Sequence, residues 1–248
     1  ALEQLEQTLE VREIDGSWLG PTAEARQTFT TRLAEHQAAQ RGFRPIREPL
    51  VIYFSMPGVV DRNGTPCLLP PGASAYESNQ WLPIDWVLEQ IAAATPPQRA
   101  KLLVLDSNQH LICWPMGIAY NTFVERLEQV LAGSTVENLA VMTAAGKGES
   151  SWSAPELGGT PFGQFLRLGL AGAADQSAAD SDGEVWLEEL ADYVRREVDQ
   201  WAQACRGVRQ TPWLWKSDAQ LDFFVTHALS DSALAEQREQ LASGPASA

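Results

Sequence analysis

The segment PLVIYFSMPGVVDRNGTPCLLPPGA, residues 49–73, decides how the rest of the chain reads. Leu50-Val-Ile-Tyr-Phe54 is an unbroken apolar and aromatic run of strand length. Without polar alternation it predicts a strand buried on both faces, the habit of parallel sheets. Ser55-Met-Pro-Gly58 ends the run, Asp61-Arg-Asn-Gly64 is a strong turn signal, and residues 65–69 read as a short hairpin return. The strand thus delivers a methionine and a proline to the rim of a sheet, and neither side chain can move a proton.

Two further apolar runs, Lys101-Leu-Leu-Val-Leu-Asp106 and Leu139-Ala-Val-Met142, predict buried strands. Helical spacing fills the intervals. Pro83 sits where a helix begins, with Ile84, Val87, Leu88 and Ile91 on its inner face. Residues 120–131 follow with Phe123, Leu127 and Leu131 in register. Upstream, a helix end is expected over residues 1–9, a short strand over 11–14 and a turn over 16–20. Thr22 then caps a helix with Ala25, Phe29, Leu33 and His36 on one face, ending near Gly42. Downstream, Gly158-Gly-Thr-Pro-Phe162 leads into a helix with Phe165, Leu166 and Leu170. Residues 175–182 read as a polar loop, and 185–201 as a long amphipathic helix carrying Leu190, Val194, Val198 and Trp201. Residues 210–215 turn back, 229–241 form a detached helix, and 244–248 are linker. Alternating strands and helices predict an α/β fold whose mainly parallel sheet, of about six strands, has helices on both faces. Sites in such sheets form outside the carboxyl ends of the strands.

The 248 residues suit one α/β domain over 1–216, with an extension and linker over 217–248. A net charge of −14 argues against nucleic acid and anionic membrane as partners. Cysteines 67, 113 and 205 leave one unpaired under any disulfide scheme and lack metal-ligand spacing, which points to a reducing, cytoplasmic setting. The sequence shows no apolar run of about 18 residues, and no signal peptide is visible in it. The opening Ala-Leu-Glu, without an initiator methionine, reads as the start of a piece of something longer.

Tyr53-Phe-Ser-Met-Pro-Gly58 resembles the strand end that carries the catalytic histidine in caspase-like cysteine peptidases, bacterial metacaspase relatives included, where the run ends Ser-Gly-His-Gly. Leu103-Val-Leu-Asp-Ser-Asn108 is similar to the strand that brings their nucleophile, which reads Leu-Asp-Ala-Cys. Pro57 stands at the histidine position and Asn108 at the cysteine position. Leu68-Leu-Pro-Pro71 resembles a further family segment, with Gly72 where an acid is usual. So do Ala144-Ala-Gly-Lys147 through Pro155-Glu-Leu-Gly-Gly-Thr-Pro-Phe162, then Asp182-Gly-Glu-Val-Trp-Leu-Glu-Glu-Leu190, Tyr193-Val194 and Gln210-Thr-Pro212. The likeness spans residues 5–216 and implies a caspase-like three-layer sandwich whose first core strand would precede residue 1.

A cysteine peptidase needs a thiolate and an imidazole beside it. Proline has no titratable proton, and a carboxamide is no nucleophile at neutral pH. The resemblance therefore implies a pseudo-peptidase: a protein- or peptide-binding or scaffolding module, with no cofactor and no metal, as part of a larger chain or as a homodimer paired through an edge strand. In the family the acid matching Asp106 helps form a pocket for a basic side chain, so a basic partner is implied; read alone, Asp106 is first a capping or turn carboxylate that bonds backbone amides. Ser150-Ser-Trp-Ser153 resembles the loop beside the family's substrate cleft. Ser55, Asp106, Ser151 and Trp152 are thus the candidate peptide pocket. The rival reading is an active hydrolase with a non-standard nucleophile, from Cys113 with His110, Ser107 or Ser55. His110 and Cys113 lie three residues apart, which suits a thiol–imidazole pair or an ordinary loop with a buried cysteine. His36 and His227 read as surface or packing residues. Nine tryptophans suit either an aromatic groove or the core, and Trp81, Trp86, Trp152, Trp213 and Trp215 fall in or near expected loops. Asp180-x-Asp182-Gly183 with Glu189 imitates part of a calcium loop, but Ala178 stands at its first ligand position. No glycine-rich nucleotide or phosphate motif is present, which leaves a small-molecule site at the strand ends without support.

Overall fold

The computed structural model of the chain describes residues 22–39, 48–107 and 121–243. The expected elements over 1–9, 11–14 and 16–20 lie outside the described residues, as do Asn108, His110, Cys113 and the side chain of His36. Contacts divide the chain into two units. One takes the described residues up to Thr143 with Trp215–Leu221; the other takes Ala144–Leu214 and the described residues from Asp222 onward.

In the first unit β1 (Leu50–Phe54) leads into an antiparallel sheet of β2 (Gly58–Val60), β3 (Pro66–Leu68) and β4 (Leu82–Pro83). The turn between β2 and β3 closes on Asp61, whose Oδ1 accepts the amides of Asn63 at 2.9 Å and Thr65 at 2.7 Å. β5 (Lys101–Leu105) pairs in parallel with β1, and β6 (Leu139–Thr143) pairs in parallel with β5. With β7 (Glu184–Trp186) placed in the second unit, β8 (Trp213–Lys216) is the fourth strand of this sheet, in the order β1-β5-β6-β8. The Ser217 amide donates to the Leu139 carbonyl at 2.8 Å, so the end of β8 meets the start of β6 and the two run antiparallel. The described sheet is therefore mixed and mostly parallel, with four strands where about six were expected.

Every residue of β5 and β6 is buried, as continuous apolar runs require. β1 departs from the expectation. Leu50, Ile52 and Phe54 are buried while Val51 and Tyr53, which point to the other face of the sheet, are half-buried because that face is less completely covered at β1. The buried face is covered by α1 (Ala23–Ala39), whose Phe29 ring lies 5.9 Å from Phe54. Thr22 Oγ1 accepts the Ala25 amide at 3.2 Å, the expected cap, and Ala25, Phe29 and Leu33 are buried. α2 (Ile84–Ala94) follows Pro83 with its four expected inward residues buried, and Trp86 meets Phe29 at 5.8 Å. α3 (Phe123–Ala132) buries Phe123, Leu127 and Leu131. It starts at Phe123 because Asn121 Oδ1 accepts the Phe123 amide at 3.0 Å, while Asn121 Nδ2 donates to the Gly58 carbonyl at 2.8 Å. That bond explains Gly58 itself: a Cβ there would fall 2.8 Å from the Phe123 ring.

Val59, Cys67 and Trp81 form a small core under Leu69 and Ala73. Burial, with Asp61 and Asp85 adding to it, pushes the Cys67 thiol from 9.0 up to about 12. The unfolded chain releases this proton above pH 9.0 and the folded chain holds it to about 12. Stability from the buried neutral thiol is therefore whole below the lower value and lost as pH rises through the window. Between about pH 8 and about pH 10.5 the wild-type protein should lose about 2 kcal/mol more than Cys67→Ala in denaturant titrations. Parallel losses would place the titrating group elsewhere.

In the second unit α4 (Pro161–Leu168) is capped by Thr160, whose Oγ1 accepts the Gly163 amide at 2.9 Å. It runs on as a wider π-helical segment, Gly169–Ala173, and a short turn, Ala174–Ser177. The polar loop expected from residue 175 starts later for that reason, and Asp175 is buried with its Oδ1 accepting the Gly183 amide at 3.2 Å. β7 pairs antiparallel with β9 (Phe224–His227), and α5 (Leu187–Arg206) follows. The long helix thus begins at Leu187 rather than 185, because Val185 and Trp186 are claimed by strand pairing and the Trp186 amide donates to Glu189 Oε2 at 3.0 Å. Leu190, Val194 and Val198 are buried along it, and Trp201 is half-buried. α6 (Asp231–Ser243) is not detached: Leu234 is buried, and Gln237 Oε1 accepts a bond from Arg167 of α4 at 2.9 Å.

Candidate functional site

The parallel register sets Phe54 opposite Leu105, so the chain leaves β1 and β5 side by side at their carboxyl ends. The Asp106 amide donates to the Phe54 carbonyl at 2.8 Å, which carries the ladder one step past the strands. Ser55 and Asp106 are thereby brought to the same rim. Ser55 and Pro57 are exposed, while Met56 between them is buried. The Pro57 carbonyl accepts the Leu69 amide at 2.8 Å, which ties the strand end to the chain leaving β3.

Asp106 is 2% exposed, and its Oδ2 accepts from the Tyr53 hydroxyl at 2.5 Å. It is a positioned, buried acid at the base of the rim. Ser107 is wholly buried, which removes its hydroxyl from easy attack on a bulky substrate. Asn108, His110 and Cys113 lie outside the described residues. Tyr53 is the partner the sequence reading missed. The signal was present: a tyrosine in an otherwise apolar strand needs a partner for its hydroxyl.

Ser151 and Trp152 belong to the second unit. Ser151 is buried and Trp152 half-buried. The Trp152 amide donates to Gln210 Oε1 at 3.2 Å, and Gln210 Nε2 donates to the Ala144 carbonyl at 2.9 Å. Glu149 completes the brace: its Oε2 accepts the amides of Gly146 at 3.1 Å and Thr211 at 2.5 Å, and its Oε1 accepts the Thr211 hydroxyl at 3.0 Å. The loop and the Gln210-Thr-Pro212 segment are thus one polar structure. Arg206 stands over this loop, with its guanidinium 5.9 Å from the Trp152 ring, 4.7 Å from the Trp201 ring and 2.8 Å from Glu156.

The tryptophans divide by environment. Trp81 is a core residue whose Nε1 donates to the Ser74 carbonyl at 2.8 Å, and Trp213 and Trp215 sit in β8 rather than in a loop. A cleft of about 320 Å³ between α1 and α2 is lined by Ala23, Arg26, Gln27, Thr30, Asn79, Trp86 and Gln90, none of them a candidate pocket residue. Its Arg26 donates to the Asn79 and Trp81 carbonyls, and its Thr30 hydroxyl donates to Gln90 Oε1. The acids of the calcium-like stretch cap backbone amides, Asp182 that of Glu184 and Glu189 that of Trp186. Among the described residues no group of three or more His, Cys, Asp or Glu could hold a metal ion, and no helix is long and apolar enough to cross a membrane. No protein-family model matches the sequence, and no curated protein matches it.

Proposed function

We propose that this chain is a caspase-like domain without a catalytic dyad, and that it binds a protein or peptide bearing a basic side chain. The observation that carries the reading is Pro57, exposed at the carboxyl end of β1, where the family it resembles presents a histidine. A proline there supplies a rigid surface and no proton transfer. Beside it Asp106 supplies a carboxylate oriented by Tyr53. A guanidinium or ammonium entering from the exposed Ser55 side would meet that charge in a setting where water screens it weakly.

Burial changes the choice of variant. Asp106→Ala would strip the Tyr53 hydroxyl of its acceptor and weaken the fold, whereas Asp106→Asn keeps an acceptor oxygen and removes the charge. Asp106→Asn should bind an arginine-containing peptide about ten-fold more weakly than the wild type, by fluorescence anisotropy, with unfolding little changed. Unaltered affinity would dismiss the pocket.

A further inference from the structure

Arg167 is 5% exposed, on the inner side of α4. A cation so deep is normally matched by a carboxylate. Here the partners are neutral: Nε donates to Gln164 Oε1 at 3.3 Å and Nη1 donates to Gln237 Oε1 at 2.9 Å. Among the described residues no acid acts on Arg167; burial lowers its pKa, and Tyr193 opposes that. Nη2 bonds to no described residue, so one edge of the guanidinium is left over at the junction of α4 and α6, where Arg167 keeps 5% of its surface exposed.

Two more arginines converge there. The Arg196 guanidinium of α5 lies 5.6 Å from the centre of the Tyr193 ring. Arg238, exposed on α6, acts on the same tyrosine together with Arg167 and Arg196. The acid in this group is Glu197, which pairs with Arg196 Nε at 3.0 Å. In a chain of net charge −14, three arginines around one buried tyrosine with one glutamate form a local excess of positive charge.

We propose that Arg167 anchors a site for an oxyanion, the carboxylate or phosphate group of a small ligand, between α4, α5 and α6, with Arg196 and Arg238 at its rim. The planar guanidinium is fixed by its two amide partners, so Nη2 is oriented before the ligand arrives. Gln237 links the anchor to α6, so an occupied site would hold α6 more firmly on α4.

The test is thermal unfolding of the full chain in inorganic phosphate and in acetate, each against chloride at matched ionic strength. The melting temperature should rise by about 3 °C at ten times the dissociation constant, and the two arms tell which oxyanion is preferred. Arg196→Gln with Arg238→Gln changes exposed side chains only; it should leave the value in chloride in place and weaken the response about ten-fold. Equal melting temperatures in all three salts overturn the proposal. So does an undiminished response in the double variant, which would mark general exclusion of the anion from the protein surface rather than a site.

Discussion

Replacing Lys101 by methionine is expected to lower the stability of the fold by about 3 kcal/mol. Lys101 opens β5 and is 2% exposed, among the largest buried side chains of the described residues. Its Nζ donates to the carbonyls of Pro97 at 3.2 Å, Arg99 at 2.8 Å and Glu137 at 2.9 Å, so three donors meet three acceptors. Methionine keeps the stem and strands the Arg99 and Glu137 carbonyls, while the Pro97 carbonyl keeps the bond from Asn138 Nδ2 at 2.9 Å. Each polar group stranded in this way costs about 1–3 kcal/mol, less whatever water recovers. Burial lowers the Lys101 pKa, with Glu137 opposing and Arg99 adding to the fall. The unfolded chain holds this proton up to the ordinary 10.5 and the folded chain gives it up earlier. Stability therefore gains as pH rises from the lowered folded value towards 10.5, and Lys101→Met should remove that gain. Urea titrations of both proteins across that range check the two statements together. A variant within about 0.5 kcal/mol of wild type would mean that the three bonds contribute nothing net.

Gly172→Ala is the second large effect, again about 3 kcal/mol. Gly172 lies in the π-helical segment after α4 with φ +116°, a conformation an L side chain rarely adopts. A Cβ there would also fall 2.7 Å from the Ala228 Cβ and 3.1 Å from its Cα, and backbone cannot swing aside. The contact is pinned on both sides: the Ala228 amide donates to the Gly183 carbonyl and the Leu229 amide to the Ala171 carbonyl, each at 2.9 Å. Gly169→Ala is the control. Its Cβ would meet the Leu190 Cδ1 at 2.7 Å and the Tyr193 ring at 3.0 Å, but both are side chains and no backbone stands in the way. Gly169→Ala should cost about 1 kcal/mol and Gly172→Ala clearly more. The reverse order in denaturant midpoints would contradict this reading of the segment.

β5 and β6 were legible because an unbroken apolar run says one thing when both faces are covered, and the inner faces of α2 and α3 were legible from helical spacing alone. β1 carries the same kind of run, but composition does not reveal how completely each face of a strand is covered, so its half-buried Val51 and Tyr53 could not be foreseen. β9 and the true start of α5 depend on pairing between residues some 40 apart, Val185 with Thr226, and local pattern carries no such information. At the candidate site, Pro57 and Asp106 were readable as residues at strand ends. The depth of Asp106 was not, because burial is a property of what packs over a residue. Glu149 reads as a loop charge in Gly-Lys-Gly-Glu, and its three bonds appear only once Thr211 is folded beside it.

The central claim is that the sheet's mouth binds and does not cut. Cys205 is exposed, so it is first changed to serine to remove an incidental thiol. The protein is then incubated with thiol- and hydroxyl-directed covalent probes and, separately, with a diverse peptide library, and read by mass spectrometry. The account predicts no stoichiometric adduct and no cleaved peptide. One residue labelled to completion near Ser55–Gly58 or within 106–113, or reproducible cleavage of any peptide, would contradict it.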